Sequence, residues 1–367
     1  MHRRRFLALF SGLGLGLGLS LSGRLIASPH SKLLLSAASD TNGAHFVLGM
    51  DADGHLHFQT RLPGRAHAIA IHPNGHQILA IARRPGRFIA VIDLIDGNLA
   101  QRISSPPDRH FYGHAVFSAD ARRLFSTEND YQTGAGRIGV RDVDNSYRQI
   151  AEWDSYGIGP HELLLADADT LVVANGGLRT HPDEGRRTLN PDSIAPSLAW
   201  LDACDGRLRA SQTAAPKWRR ASIRHIAALP DRHIAIAMQY QGDSRGQAPL
   251  VALAHPDHGW HPLFAPKAVQ RSLHDYCGSV TADCNGQTFA VSAPRGNRVL
   301  FWSAAGDYLG EIQVKDGCGL AAGDHVAEFL ISDGHGGLHR YDALNATQET
   351  LSEAPNWRYD NHLTRTR

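Results

Sequence analysis

The sequence predicts an all-β fold, a seven-bladed β-propeller in which the C-terminal strand closes the first blade. Two patterns predict it. A hairpin signature recurs seven times at intervals of roughly 40 to 60 residues, the repeat length expected for four-stranded blades. In addition, the first blade lacks an inner strand, and the C-terminal segment at residues 360–363 repeats the start of the other inner strands.

Each hairpin signature is a short apolar strand, usually ended by Asp, followed by a turn rich in Gly, Asn or Asp and then by another strand. Such turns between apolar runs are the strongest short-range signal for a β-hairpin. The seven copies lie at residues 49–54, 91–98, 140–145, 200–206, 250–259, 301–307 and 340–345.

The second blade shows the four-strand pattern most plainly. Its strands are predicted at residues 67–71, 77–82, 88–94 and 99–103, and we label them A to D from the central channel outward. Blade three repeats the pattern from His114, with its second strand at 124–127. The remaining blades begin at His161, His225, Ser279 and about Cys318.

The first blade has only three strands in residues 33–60. The segment Asp360-Asn361-His362-Leu363 would supply the missing inner strand, since it repeats the "x-x-His-apolar" start of the others. A C-terminal strand in this place closes the ring and removes free sheet edges. Residues 28–367 are therefore predicted to form one domain, with residues 178–196 as a loop insertion in blade four.

The composition fits a globular domain without a nucleic-acid partner. The 367 residues are 42% hydrophobic and 20% charged, which excludes global disorder. A net charge of +1 gives no support to nucleic-acid binding. We also expect the protein to be a monomer. The four cysteines are too few for a disulfide scaffold, and their pairing stays open.

Residues 1–27 are predicted to be a twin-arginine signal peptide. A basic start, Arg3-Arg4-Arg5-Phe6-Leu7, precedes a short apolar run diluted by four glycines and a small-residue cleavage region near Ala27. The run is too short and too rich in glycine for a membrane anchor, and no later stretch is long enough to span a bilayer. We therefore expect a periplasmic protein that is exported folded, with no membrane span in the mature chain.

The residues predicted to carry the chemistry are histidines at one level of the propeller. In this fold the first residue of each inner strand lies near the axis, at one mouth of the channel. Five of those seven positions are histidine, and the other two are Ser279 and Cys318. The five are His67, His114, His161, His225 and His362. Imidazoles crowded at one mouth suit a transition metal, with Cu, Fe or Zn as the expected ions.

The loops between strands B and C return to the same face and should form a polar rim. Carboxylates and amides there could fix the ligating tautomer of each histidine. The expected rim residues from these loops are Arg84, Glu128, Asn129, Asp130, Asn175, Gln239 and Arg295, joined by Arg224 from the position before His225 and by Cys318 from the start of an inner strand. For Glu128-Asn129-Asp130, a simple turn is the alternative interpretation.

A structural interpretation of the histidines stays open beside the functional one. Histidine before an inner strand also occurs in propellers in which it forms hydrogen bonds within its own blade, and duplication would then copy it without any ligand. The sequence has none of the G-x-G-x-x-G, G-x-x-x-x-G-K-[ST], G-x-S-x-G or H-E-x-x-H motifs. The pair His161-Glu162 is expected to point to opposite faces of its strand.

The sequence resembles an uncharacterised exported family, the domain of unknown function 1513, over nearly all of residues 30–367. The segments that carry the resemblance are Phe111-Tyr112-Gly113-His114, Glu128-Asn129-Asp130, residues 134–140, residues 157–162, residues 173–177, Thr180-His181-Pro182, Ser222-Ile223-Arg224-His225 and Asp360-Asn361-His362. Ala121 departs from the pattern, since a Gly usually follows the Asp there, and should affect only one turn. The resemblance implies a propeller, export and an association with periplasmic iron-uptake and haem-protein gene neighbourhoods, but no established activity.

Three functions remain in competition. The first is a non-catalytic periplasmic propeller that binds a transition metal, or docks a periplasmic metal-handling or haem protein, through the histidine mouth. The second is a metal-dependent, lactonase-like hydrolase at the same mouth, and the third is a metal-free interaction scaffold. The histidines favour the first two. Only Glu128, Asp130 and Asp333 are available as carboxylates, which disfavours a calcium-type hydrolase site.

Overall fold

The computed structural model describes residues 32–366, so the predicted signal peptide lies outside the described residues. Within this range the chain forms seven antiparallel sheets arranged as a ring, which confirms the predicted seven-bladed propeller. The single α-helix described there, α1 (Lys267–Ser272), has six residues, and no helix in this range is long enough to cross a bilayer.

The strands of the first four blades follow the chain order, apart from the two C-terminal strands of blade one. Blade one contains β1 (Leu34–Asp40), β2 (His45–Met50), β3 (Leu56–Leu62), β28 (Trp357–Tyr359) and β29 (Thr364–Arg365). Blade two contains β4 (Ala66–Ile71), β5 (Gln77–Ala82), β6 (Phe88–Asp93) and β7 (Leu99–Ser104). Blade three contains β8 (Arg109–Phe117), β9 (Arg123–Asp130), β10 (Gly136–Asp142) and β11 (Arg148–Asp154). Blade four contains β12 (Pro160–Leu165), β13 (Thr170–Asn175), β14 (Ser197–Asp202) and β15 (Leu208–Thr213), with residues 176–196 connecting β13 to β14.

The last three blades each have four consecutive strands. Blade five contains β16 (Ala221–Ala228), β17 (Ile234–Tyr240), β18 (Val251–His255) and β19 (Gly259–Leu263). Blade six contains β20 (Ser279–Ala282), β21 (Thr288–Ala293), β22 (Arg298–Ser303) and β23 (Tyr308–Gln313). Blade seven contains β24 (Gly317–Ala322), β25 (Glu328–Asp333), β26 (Gly337–Asp342) and β27 (Thr347–Glu353).

The C-terminal segment closes the first blade, as predicted. Tyr359 of β28 pairs with Ala38, and Arg365 of β29 pairs with Leu34, so both strands lie on the same edge of β1. The inner strand is interrupted between them, at residues 360–363. The Ser36 hydroxyl donates a hydrogen bond of 3.0 Å to the backbone oxygen of His362, which holds the interruption against β1.

The core lies between the blades. In the described residues, one hydrophobic cluster lies between each pair of neighbouring blades, which gives seven clusters around the ring. In β5, Ile78 and Ala80 pack toward blade one, while Leu79 and Ile81 pack toward blade three. Because alternate residues face two different neighbours, the middle strands are apolar on both faces and appear in the sequence as continuous apolar runs.

A register irregularity marks the channel end of most inner strands. The pairing of β4, β8, β12 and β16 with their neighbours shifts where the histidine or the residue before it lies. In blade one the interruption at residues 360–363 takes its place. A bulge re-aims side chains at the point where it occurs, so the inner strands can direct polar groups into the channel.

Candidate metal centre

The five predicted histidines meet in the channel. Nine of their ten pairwise ring-centroid distances fall between 4.5 and 5.9 Å. The shortest separates His67 from His362. His67, His114 and His225 are almost fully buried, while His161 and His362 are partly buried. The fold thus brings residues separated by up to 295 positions into one compact cluster, hereafter the histidine cluster.

Gly113 makes room for this arrangement. Its φ is +111°, a value that side chains disfavour, and a Cβ atom added here would lie 2.8 Å from Cδ2 of His67. The glycine therefore serves both the irregular backbone of β8 before His114 and the close approach of the neighbouring imidazole.

Two carboxylates contact the histidine cluster at Nδ1 atoms of its imidazoles. Asp360 Oδ1 lies 2.9 Å from His67 Nδ1, and its other oxygen accepts a hydrogen bond from Arg65 Nε at 2.5 Å. Glu162 Oε2 lies 2.9 Å from His225 Nδ1, and Oε1 lies 3.5 Å from His114 Nδ1. A carboxylate on Nδ1 fixes the tautomer in which Nε2 carries the free lone pair, the usual arrangement behind a metal-ligating histidine.

Several ring nitrogens in the cluster have no partner. His114 Nε2, His161 Nδ1 and His362 Nε2 are buried and make no hydrogen bond within residues 32–366. A buried polar atom without a partner costs about 1–3 kcal/mol, so three in one place require an explanation.

The nitrogens are close enough to share an ion. Ligand atoms lie within 4.8 Å of one another in three overlapping groups, two of which contain His67. The groups are His67 with His161 and His225, His67 with His114 and His362, and Glu162 with His114 and His225. Because the groups share members, they describe one centre with alternative ligand sets.

Electrostatics keeps the imidazoles neutral. Burial holds the pKa of His114, His161, His225 and His362 well below 6.5, and repulsion among these rings adds to the effect. Burial also lowers the pKa of His67, although its bond to Asp360 opposes this. Neutral imidazole is the form that binds metal, so the cluster is in its ligating state at neutral pH.

The pKa values of the two carboxylates are shifted in opposite directions. Burial raises the pKa of Glu162 to about 8, and the N–H of Ile226 only partly opposes this. Burial would also raise the pKa of Asp360, but the bond from His67 and the guanidiniums of Arg65 and Arg83 hold it below its usual range. Asp360 is therefore a fixed negative charge, while Glu162 can carry a proton beside His225.

Four of the predicted rim residues line a cavity above the histidine cluster. They are Arg84, Arg224, Gln239 and Arg295. The cavity has a volume of about 430 Å³, and His67, His161 and His225 form its floor. We call it the vestibule.

The predicted acids of blade three have other partners. The carboxylate of Glu128 is fully buried 2.7 Å from Arg141, and Asp130 pairs with Arg109 at 3.0 Å. The reason is that β9 extends to Asp130, beyond the predicted end at residue 127, so Glu128 lies within a strand rather than in a loop. Neither acid makes a polar contact with the histidine cluster.

The predicted amides and the cysteine also bond elsewhere. Asn129 Nδ2 lies 3.0 Å from His110 Nε2, and Asn175 Nδ2 donates to the backbone oxygen of Ser155 at 2.8 Å. The Cys318 thiol points at backbone oxygens of blades seven and one, and burial raises its pKa far above the usual range. Cys318 thus offers no thiolate to a metal at neutral pH.

Sequence reasoning missed Glu162 and Asp360 as members of the site. Glu162 was expected on the opposite face from His161, but the pairing shift between Pro160 and Glu162 breaks the strict alternation of the strand. The sequence pattern places Asp360 only in the closing segment. Its position two residues before His362 is the signal in the sequence that points to it.

Comparison with known proteins gives a family and a fold. No curated protein matches the chain. Hydrazine synthase from Kuenenia stuttgartiensis is a similar solved structure, with a TM-score of 0.60 and 14% identity over 87% of this chain and 95% of the other. At that identity the likeness concerns the fold alone. The model of the family described as a protein of unknown function, DUF1513, matches residues 60–366, and the chain therefore belongs to this family.

Proposed function

We propose that this protein is an exported, non-catalytic propeller that binds a transition-metal ion in its histidine cluster. The observation that carries the proposal is the set of three buried, unpartnered ring nitrogens on His114, His161 and His362. His114 and His362 share one ligand group with His67, and His161 shares another with His67 and His225, so an ion in either group would give a partner to one or two of these atoms.

The donor set favours Cu(II), Zn(II) or Fe(II). Five imidazoles and one carboxylate provide nitrogen and oxygen but no sulfur, a combination typical of these metals. His67 would hold such an ion together with His161 and His225, or together with His114 and His362. Asp360 and Glu162 would remain as the carboxylates behind His67 and His225.

The same donor set disfavours a calcium-dependent hydrolase. A calcium-type hydrolase site takes about six to eight oxygen ligands, whereas Glu162 is the one carboxylate in the three ligand groups. A partner that delivers or removes the ion would approach from the vestibule, where the cluster meets solvent. Periplasmic location through a twin-arginine signal is part of this proposal.

Metal titration of the exported, processed protein tests the proposal. We expect one equivalent of Cu(II), Zn(II) or Fe(II) to bind after removal of bound metal with a chelator, and His67→Ala to weaken this binding at least about tenfold because two ligand groups lose a member. His76→Ala is the matched control, since His76 is exposed in the turn between β4 and β5. Equal affinity in His67→Ala and His76→Ala, or no stoichiometric binding, would reject the site.

A further inference from the structure

The vestibule above the histidine cluster is lined by arginines. Five guanidiniums border its volume of about 430 Å³, from Arg83, Arg84, Arg186, Arg224 and Arg295. Among its lining residues, Asp316 supplies the only carboxylate, and burial raises the pKa of this group. The cavity is within the size range of small-molecule sites.

None of these five arginines forms a salt bridge with an acid of residues 32–366, although Arg83 lies near enough to Asp360 to interact with its charge. Arginines elsewhere, such as Arg109 and Arg141, are paired with carboxylates. Arg224 donates to Gln239 Oε1 at 2.8 Å, and its Nε is buried without a partner. Arg295 stacks on the ring of Tyr276, 4.8 Å from its centroid. Beneath them, Asp360 is already occupied by Arg65 and His67.

Unpaired guanidiniums in a shared cavity repel one another. Holding these positive charges close together raises the free energy of the protein without a ligand. A multivalent anion would contact several guanidiniums at once and offset their repulsion.

We propose that the vestibule binds a small multivalent oxyanion, a molecule with two or more carboxylate or phosphate groups. Guanidinium forks match both groups in a bidentate manner, and the hydroxyls of Tyr112 and Tyr276 add neutral hydrogen-bonding groups to the walls. The inference stands on the arginines alone and does not require the proposed metal. Since His67, His161 and His225 form the floor, the bound anion would also face an ion held there.

Calorimetric titration of the metal-free, exported protein tests this inference. The probes are citrate for carboxylates and pyrophosphate for phosphates, with glycerol as an uncharged control. We expect saturable binding of at least one of the two anions, weakened by added salt, and no binding of glycerol. The stronger of the two identifies which group the site takes.

Arginine variants make the test specific. Arg224→Gln and Arg295→Gln should each weaken anion binding about tenfold, the loss expected for one charge-assisted contact. Arg102→Gln, on the exposed outer strand β7, should bind as wild type does. Arg295 is exposed, so its variant keeps the test valid if Arg224→Gln does not fold. Equal affinity in all variants, or no binding of either anion, would overturn the inference while leaving the metal titration unaffected.

Discussion

Blades one to five differ from blades six and seven at the channel end of their inner strands. The first five place an imidazole there, whereas blade six has Ser279 and blade seven has Cys318. Ser279 pairs in regular register with Ser292, and the Cys318 thiol donates to backbone oxygens. A blade can therefore be built without histidine at this position.

The contacts of the histidines lead to the same conclusion. The two ring nitrogens with a close carboxylate reach into other blades: His67 to Asp360 in blade one, and His225 to Glu162 in blade four. Within residues 32–366, no ring nitrogen of the cluster bonds to its own blade. The histidines therefore contribute little to their own blades and instead place nitrogen atoms without hydrogen-bond partners in the channel.

Closure of blade one should have the largest effect on stability. Deletion of residues 355–367 removes β28 and β29 and the buried side chains of Tyr359 and Leu363 from the cluster between blades seven and one. Each buried side chain of this kind contributes about 1.5–3 kcal/mol. We expect a thermal midpoint lower by more than about 10 °C, or no cooperative transition.

Leu344→Ala is the control for the deletion, because Leu344 is 70% exposed in the last turn of blade seven. Thermal unfolding followed by circular dichroism measures both proteins. An unchanged midpoint in the deletion would show that the ring does not depend on its C-terminal strands.

The stability of the metal-free protein should fall in acid. The cluster histidines have pKa values below 6.5 in the folded protein, whereas they titrate near 6.5 in the unfolded chain. Below pH 6.5 the unfolded chain therefore binds more protons, and each histidine removes up to about 1.4 kcal/mol of stability per pH unit. The raised pKa of Glu162, about 8, opposes this by one proton between about pH 4.5 and 8.

Urea unfolding at pH 7, 6 and 5 with a chelator measures this slope. The double variant His114→Asn, His161→Leu should show a shallower slope because it has two fewer shifted histidines. Equal stability of the wild type at pH 7 and pH 5 would contradict the buried, neutral state of the cluster.

Substitution of single histidines should distinguish rings whose nitrogen lacks a hydrogen-bond partner from rings that contact a carboxylate. His161→Leu removes a buried Nδ1 that has no partner, so the metal-free protein should change by less than about 1 kcal/mol and could gain stability. His225→Leu removes the partner of Glu162 Oε2 and should cost about 1–3 kcal/mol. Chemical unfolding measures both, and a larger loss for His161→Leu than for His225→Leu would favour a structural role for the unpaired ring.

The smallest expected effect concerns the turn between β8 and β9, which contains no residue of the histidine cluster. Ala121 has a φ of +60°, in the region where glycine is free of strain. Ala121→Gly should raise stability by up to about 1 kcal/mol without changing metal binding. Ala70→Gly, in the regular part of β4 where Ala70 pairs with Leu79, should destabilise and serves as the opposite control.

The features set by periodicity could be predicted from the sequence. Turns of Asp, Gly and Asn at regular intervals locate the blades, and the histidine before each inner strand follows the axis. The "x-x-His-apolar" repeat at His362 was enough to identify the closing strand. These features depend on local pattern and on the symmetry of the ring.

The residues behind the histidines depend on departures from that pattern and could not be predicted in this way. Glu162 reaches the cluster because of a pairing shift in β12, which no spacing in the sequence reports. Glu128 leaves it because β9 continues three residues beyond its predicted end and pairs the acid with Arg141. Alternation along a strand is reliable only where the register is regular.

Anomalous diffraction from crystals of the metal-loaded protein would locate a bound ion directly. We expect one strong peak at the absorption edge of the bound metal, within bonding distance of His67 and at least two more imidazoles of the histidine cluster. The exposed group of Asp51, Asp53 and His55 is the competing site in the described residues. A peak there alone, or no peak in the channel, would contradict the account.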